Sequence, residues 1–342
     1  MLGMNAILPD IRPHEDWFHA YVRTERARER ENPAPLDLKE LHTARVLAHA
    51  RAIVVDDAFA PEEARAALLA ERADAICWDV TDPAGLAYLA AVRTVGREAF
   101  LLVMAAATTS PLVYLKPELA PDSLILRPVT AEECRRAAGE IFDRLLAALY
   151  HDVARFEQYR RFRTFRDAVS RNHGIWGVRI LLRERRLAGE TPAVRRMTLV
   201  AVGLHNRHVL PARLPEPFWK VACAVRDADK LDILRVMDES LHHPDAATRT
   251  AVLSLPDTPG LCSPRVREDA LADRVASYGD LRSVNDFRAL LGTWFGDLHF
   301  DTSRRRFLAE GHARRLVESL PEDGDYGAVR AHLLKRFGNV PC

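Results

Sequence analysis

Apolar positions recur with the spacing of an amphipathic helix over most of the chain. In residues 38–52 they form one stripe, and charged residues lie on the opposite side. The same period appears in residues 132–150, 172–186, 191–210 and 216–240, and again after residue 265. Pro61 and the two acidic residues that follow it are typical of the start of a further helix. The pattern predicts a mainly α-helical protein.

One region has a different pattern. Residues 75–80, 99–106 and 123–129 are short apolar runs bounded by turn residues, with helical segments between and after them. Continuous apolar runs that alternate with helices are typical of parallel strands covered on both faces. We therefore expect a small parallel α/β insert in an otherwise helical chain. The predicted domains are residues 1–70, the insert at 71–147, and residues 148–342.

Length, charge and cysteine content narrow the class of protein. The 342 residues suffice for one large or two ordinary domains. A net charge of +1 gives no overall attraction to nucleic acid or to an acidic membrane. No apolar stretch is long enough to cross a bilayer, and the first residues do not resemble a signal peptide. Five dispersed cysteines without CxxC spacing argue against disulfides and a zinc–thiolate site. We expect a cytoplasmic protein with no membrane or nucleic-acid partner; a homodimer stays open.

Histidines and aspartates are the candidates for chemistry. Imidazole nitrogens and carboxylate oxygens together suit divalent metal ions. Six such side chains could hold two ions about 4 Å apart with one bridging carboxylate, the arrangement used in two-metal hydrolysis. A lone helical histidine is more often a core residue than a ligand, so spacing alone does not decide. The candidates are His42, His151, Asp152, His173, His205 and Asp229.

The segments around these residues resemble the HD-domain superfamily of metal-dependent phosphohydrolases. That family has a histidine, then a His-Asp pair, then a distal aspartate. Residues 38–46 (LKELHTARV) are similar to its first histidine helix, and residues 149–156 (LYHDVARF) to its His-Asp helix. Residues 224–236 (AVRDADKLDILRV) are similar to its last segment. The family often has glycine where this chain has Ala154.

The resemblance implies a role for each candidate. A first metal would be bound by His42, His151, Asp152 and Asp229, and Asp152 would bridge to a second metal held by His173 and His205. A water activated by the metals would attack phosphorus, with Asp152, Arg155 and Lys230 as the catalytic residues and the last two neutralising phosphate oxygens. Asp232 and Arg166 would orient ligands. The ions would be Mn, Fe, Zn, Ni, Co or Mg, and the substrate a small phosphate mono- or diester such as a nucleotide.

The distance between the first histidine and the pair motivates the insert. His42 and His151 are 109 residues apart, and removing residues 71–147 leaves less than a third of that separation. The insert resembles the second half of a response-regulator receiver domain, with Asp79 at the phospho-acceptor place and IVVDD (53–57) similar to the acidic pair. A working phospho-receiver, a degenerate receiver-like module with a structural or dimerising role, and some other α/β insert all stay open.

Three functions are compatible with these residues. The leading hypothesis is a divalent-metal-dependent phosphohydrolase. The alternative is a catalytically weak or inactive HD signalling or nucleotide-binding protein, regulated through the receiver-like insert. A third hypothesis is an oxygenase, because the same ligand set could hold two irons.

Overall fold

The computed structural model describes residues 11–58, 131–242, 255–258 and 260–338. The chain divides into two compact units, residues 1–13 with 54–143 and residues 14–53 with 144–342. All six candidate ligands belong to the second unit. The domain limits predicted above, 1–70, 71–147 and 148–342, stay a prediction.

Helices account for the secondary structure of the described residues. None of these helices is both long and apolar enough to cross a bilayer. Three short 3₁₀ segments accompany them, at Asp167–Val169, Tyr278–Asp280 and Trp294–Asp297. The helices are α1 (Arg12–Arg28), α2 (Ala34–Ala58), α3 (Ala131–Tyr150), α4 (Val153–Phe162), α5 (His173–Arg183), α6 (Pro192–Leu204), α7 (Glu216–His242), α8 (Pro264–Leu271), α9 (Val284–Thr293), α10 (Asp301–Glu310), α11 (His312–Glu318) and α12 (Gly324–Gly338).

The mainly α part of the predicted fold class is confirmed, and its α/β part is wrong. No strand or sheet occurs within the described ranges, and a parallel α/β insert is not seen in them. Residues 53–57, compared above with a receiver segment, are the last turns of α2, and Ile53 is completely buried there. Burial of Ile53 overrides the strand preference of this β-branched residue. The three apolar runs and Asp79 lie outside the described residues.

Helix α7 is buried along most of its length and carries both core and site residues. Val225, Leu231 and Leu234 are part of the apolar core. Charged side chains are buried on the same helix, including Asp227 and Asp232, which are fully shielded from solvent. Charged residues are rarely buried unless they are paired. The buried charges of α7 therefore predict a polar centre inside the helical unit.

The helices after α7 form an apolar core with its C-terminal half. Leu290, Leu316 and Leu333 come from α9, α11 and α12 and are fully buried. A capping box fixes the start of α9: the Ser283 hydroxyl accepts from the Asp286 amide, and the Asp286 carboxylate accepts from the Ser283 amide. This packing holds α7 from one side and leaves its other residues facing the N-terminal helices.

The N-terminal helix α1 packs through one face. His14, Phe18, Val22 and Glu25 are its buried residues, spaced by four, four and three positions. The ring of Phe18 meets the edge of Phe156 in α4, with 5.7 Å between ring centroids. This contact buttresses the helix that follows the His-Asp pair.

Candidate metal centre

The His151-Asp152 pair lies where one helix ends and another begins. Helix α3 ends at Tyr150 and α4 begins at Val153. In a continuous helix the Ala148 carbonyl would accept from the Asp152 amide. Here the Nδ1 of His151 donates to that carbonyl over 2.6 Å. A side chain that competes for a main-chain acceptor disturbs the helical ladder. The break turns both side chains of the pair inward, where they are buried.

His205 is held in the same way at the end of α6. It follows Leu204, the last residue of the helix, and its Nδ1 donates to the Val202 carbonyl over 2.8 Å. Carbonyls of the last helical turn have no partner within the helix, so a histidine at this place can use one. The bond fixes the ring of His205 and leaves its Nε2 directed into the protein.

Two carboxylates hold the remaining histidines. The Nδ1 of His42, on α2, donates to Asp232 over 2.7 Å. The Nδ1 of His173 donates to Asp167 over 2.7 Å. His173 is the first residue of α5, whose start is fixed by a hydrogen bond from the Ile175 amide to the side chain of its N-cap residue. Metal-binding histidines commonly donate their other ring nitrogen to a carboxylate or carbonyl in this way.

The six candidate ligands converge as two groups of three. His42, His151 and Asp229 form the first group, and Asp152, His173 and His205 form the second. In each group the potential ligand atoms all lie within 4.8 Å of one another. All six residues are buried except Asp229, which is partly exposed. These groups can hold a metal ion.

Asp152 lies between the two groups. Its Oδ2 is 3.7 Å from the Nε2 of His42 and 3.7 Å from that of His151. Its Oδ1 is 3.3 Å from the Nε2 of His173 and 3.7 Å from that of His205. Each carboxylate oxygen therefore faces one group.

The hydrogen bonds assign the tautomers of the histidines. Each of the four donates from Nδ1, so a neutral ring carries a lone pair on Nε2. The Nε2 atoms of His173 and His205 face each other at 2.9 Å, and those of His42 and His151 at 3.4 Å. Two facing lone pairs repel unless a proton or a cation lies between them. A cation bound between these Nε2 atoms would therefore stabilise the arrangement of the four histidines.

The separations also fit ligands of one ion. With bonds of about 2.1 Å, neighbouring ligand atoms lie about 3.0 Å apart around an octahedral ion and about 3.4 Å apart around a tetrahedral one. The first group spans 3.0 Å from His42 Nε2 to Asp229 Oδ1 and 3.7 Å from His151 Nε2 to the same oxygen. The second group spans 2.9 to 3.7 Å. Small shifts of the side chains would bring either group to the separations expected around one ion.

Burial and charge keep most of these groups in the protonation state that metal binding requires. Burial lowers the pKa of His151 to about 4 and that of His173 to about 3. Burial acts to raise the pKa of Asp152, but the charge of Lys39 is the strongest of several that hold it well below its usual range. Neutral imidazoles beside an ionised carboxylate are the forms that ligate metals. His42 differs: burial acts to lower its pKa, yet its carboxylate partners raise it.

Lys39 and Arg155 are the cations beside the centre. The Nζ of Lys39 lies 2.8 Å from Asp152 Oδ2, and the Nε of Arg155 lies 3.4 Å from Asp152 Oδ1. Arg155 also donates to the Phe165 carbonyl and to Asp167. Both side chains are about one-sixth exposed, so they lie at the edge of the buried cluster. They bring positive charge to both sides of the shared carboxylate.

The structure brings together all six predicted ligands and Arg155, but it directs Lys230 elsewhere. Lys230 donates to Asp297 over 2.5 Å and to the main-chain carbonyl of the same residue. Asp232 contacts His42, whereas the side chain of Arg166 is exposed.

Sequence reasoning missed two residues beside the ligands. Lys39 lies three positions before His42 on the same helix, a spacing that places both on one face and could have identified it. Asp167 begins the three-residue 3₁₀ segment before His173, which is too short for a periodic pattern to identify it.

Comparison of the chain with models of known protein families, with curated proteins and with solved structures finds no match. The HD-domain resemblance therefore stays a prediction, and the geometry of the site is the remaining basis for proposing a function.

Proposed function

We propose that this chain is a divalent-metal-dependent phosphohydrolase of the HD type, with two ions at the two groups. The observation that carries the proposal is the position of Asp152, whose two carboxylate oxygens face different histidine pairs. A carboxylate shared in this way can bridge two ions about 3.5–4 Å apart, the separation typical of two-metal hydrolases. Ions held there would supply a water of lowered pKa and neutralise charge on the reacting group.

Charge supports a phosphate ester as the substrate class. Two divalent ions bring four positive charges, while Asp152 and Asp229 supply two negative ones. Lys39 and Arg155 add two more positive charges at the same place. Asp232 and Asp167 add two negative charges, and Arg45 and Arg235, which both pair with Asp232, offset them. An excess of positive charge in a partly buried site favours an anionic ligand, and a phosphate ester provides it.

Each residue of the chain has a separate task in this proposal. Asp152 joins the two groups, and the four histidines present a lone pair from a fixed ring. Arg155 is fixed by its bonds to the Phe165 carbonyl, Gln158 and Asp167, so its guanidinium is preorganised beside the centre. A preorganised cation stabilises charge that develops on a phosphoryl group without a cost of reorganisation. Lys230 has no such place, because Asp297 holds it.

The test is hydrolysis by defined metal-loaded protein. Chelator-treated chain would be loaded with Mn²⁺ or Co²⁺ and assayed with p-nitrophenyl phosphate, bis-p-nitrophenyl phosphate and a panel of nucleotides. We expect metal-dependent product release, and we expect His151→Gln and His173→Gln to lose activity by on the order of a hundredfold. His312→Gln is the matched control, because His312 bonds to Asp238 rather than to a candidate ligand.

Two results would contradict the proposal. Stoichiometric metal without turnover of any ester would leave a metal-dependent binding protein instead of an enzyme. Turnover that is unchanged in both histidine variants would place the activity outside these groups.

A further inference from the structure

The cations near the centre differ in how firmly other residues hold them. Arg155 is bound by several acceptors in addition to Asp152. Arg45 and Arg235 pair with Asp232, and Lys230 pairs with Asp297. Among the described contacts of Lys39, the ion pair with Asp152 is its one bond to a carboxylate. The face of the Phe165 ring, 5.5 Å from the Nζ, is its other described side-chain contact.

The partner of Lys39 is also the shared ligand. Lys39 contacts Oδ2 of Asp152, the oxygen that faces His42 and His151. A divalent ion in the first group would take up the negative charge of this oxygen and repel the ammonium. The ion pair that now holds Lys39 would then weaken, while the partly exposed side chain stays at the edge of the site. An ammonium in this position is available to a new anion.

We propose that Lys39 is a substrate-binding residue that contacts the phosphoryl oxygens of the ester bound at the metal centre. This inference rests on the proposed function and deepens it. Lysine suits the task because its ammonium is a compact point charge on a flexible stem, able to leave one carboxylate for a neighbouring anion. Lys39 thus has the role predicted above for Lys230, which is to neutralise phosphate oxygens. It acts beside Arg155, which other residues hold firmly.

Orthophosphate is the probe that tests the inference without relying on turnover. Calorimetry would measure its binding to Mn²⁺-loaded wild type, Lys39→Met and Lys39→Arg, with Mn²⁺ affinity measured in the same proteins. Lys220→Met is the matched control, since Lys220 pairs with Glu216 one turn away on α7. We expect Lys39→Met to weaken phosphate binding by on the order of tenfold to a hundredfold. Lys39→Arg should retain most of the affinity, and Lys220→Met should bind phosphate as wild type does.

Manganese binding separates this role from a structural one. If Lys39 only positions Asp152, Lys39→Met will lose Mn²⁺ affinity and keep its phosphate affinity once loaded, and the inference is wrong. If Lys39 binds the phosphoryl group, Mn²⁺ affinity will be unchanged or higher, because the ammonium no longer competes for Asp152. If the wild type binds Mn²⁺ and phosphate but hydrolyses no ester, the proposed function is wrong, and weaker phosphate binding by Lys39→Met would still support the role of Lys39. A wild type that binds no Mn²⁺ overturns both.

Discussion

Replacing Asp167 by asparagine should weaken metal binding at one group and not at the other. Asp167 accepts a hydrogen bond from His173 Nδ1 over 2.7 Å, and it also accepts from Gln158 and Asn206. Burial acts to raise the pKa of Asp167, but the hydrogen bond from His173 and the charge of Arg155 hold it below its ordinary value. An ionised carboxylate behind a histidine fixes the ring and makes its other nitrogen more basic.

The expected loss of metal affinity follows from the position of Asp167, which bonds to the ligand His173 on the side away from the metal site. Loss of such a partner typically costs about ten- to a hundredfold in metal affinity, or about 1.4–2.7 kcal/mol. Isothermal titration of chelator-treated protein with Mn²⁺ would measure it. In Asp167→Asn we expect the Mn²⁺ affinity of the second group to fall by this amount, while the Mn²⁺ affinity of the first group is unchanged. Asp232→Asn is the mirror variant, because Asp232 holds His42 in the first group.

A general loss of stability around residue 167 would be a different explanation, and stability measurements would distinguish it. The asparagine amide would face groups that now donate to Asp167, which costs about 1–3 kcal/mol. Denaturant unfolding of the metal-free variant reports that cost separately. Two outcomes would refute the reasoning: equal weakening of both groups, or a less stable variant whose Mn²⁺ affinities are unchanged.

Three further predictions concern stability. Saturating Mn²⁺, at about 100 times its dissociation constant, should stabilise the chain by about 2.7 kcal/mol per ion; an unchanged melting temperature would contradict binding. Gly292→Ala would place a Cβ 2.7 Å from Leu333 Cδ1 and should cost about 1–3 kcal/mol in urea unfolding. Gly139→Ala, with nothing within 4 Å, is the control and should be neutral or stabilising. Burial and the charge of Arg306 lower the pKa of His49 to about 4. Because this value lies below the unfolded value of about 6.5, the unfolded chain takes up the proton first as pH falls. The free energy of unfolding of wild type should therefore fall by about 2 kcal/mol more than that of His49→Gln between pH 7 and pH 5. Parallel plots of unfolding free energy against pH for the two proteins would contradict this.

The helices could be predicted from the sequence because their signal is local. Apolar spacing in residues 216–240 predicted α7, which runs from Glu216 to His242. The α/β part failed because short apolar runs carry no period that separates a strand from a buried helix. Ile53 shows the ambiguity: it lies in a β-branched run, and its burial in α2 is complete.

The site could be predicted in part, and the reason lies in helix geometry. Lys230 directly follows Asp229 in the sequence, but adjacent residues on a helix point about 100° apart. Lys230 consequently reaches Asp297, while Lys39, three positions from His42, shares its face. Adjacency in sequence is thus a poor guide to a helical site, and spacing by three or four is a better one. No spacing rule identifies Asp167, because its 3₁₀ segment is only three residues long.

The two groups are alike in how their histidines are held and unlike in charge. Each pairs one histidine bonded to a carboxylate with one bonded to a carbonyl three residues earlier, near the end of a helix. The first group has a carboxylate of its own, Asp229, in addition to its share of Asp152, whereas the second has only that share. The first group should therefore attract a divalent ion more strongly, although the proton that its carboxylates favour on His42 must first leave. The second group depends more on the basicity of its histidines. For this reason the hydrogen bond from His173 to Asp167 should affect metal affinity most in the second group. Asp167→Asn is therefore the more sensitive test of the metal centre.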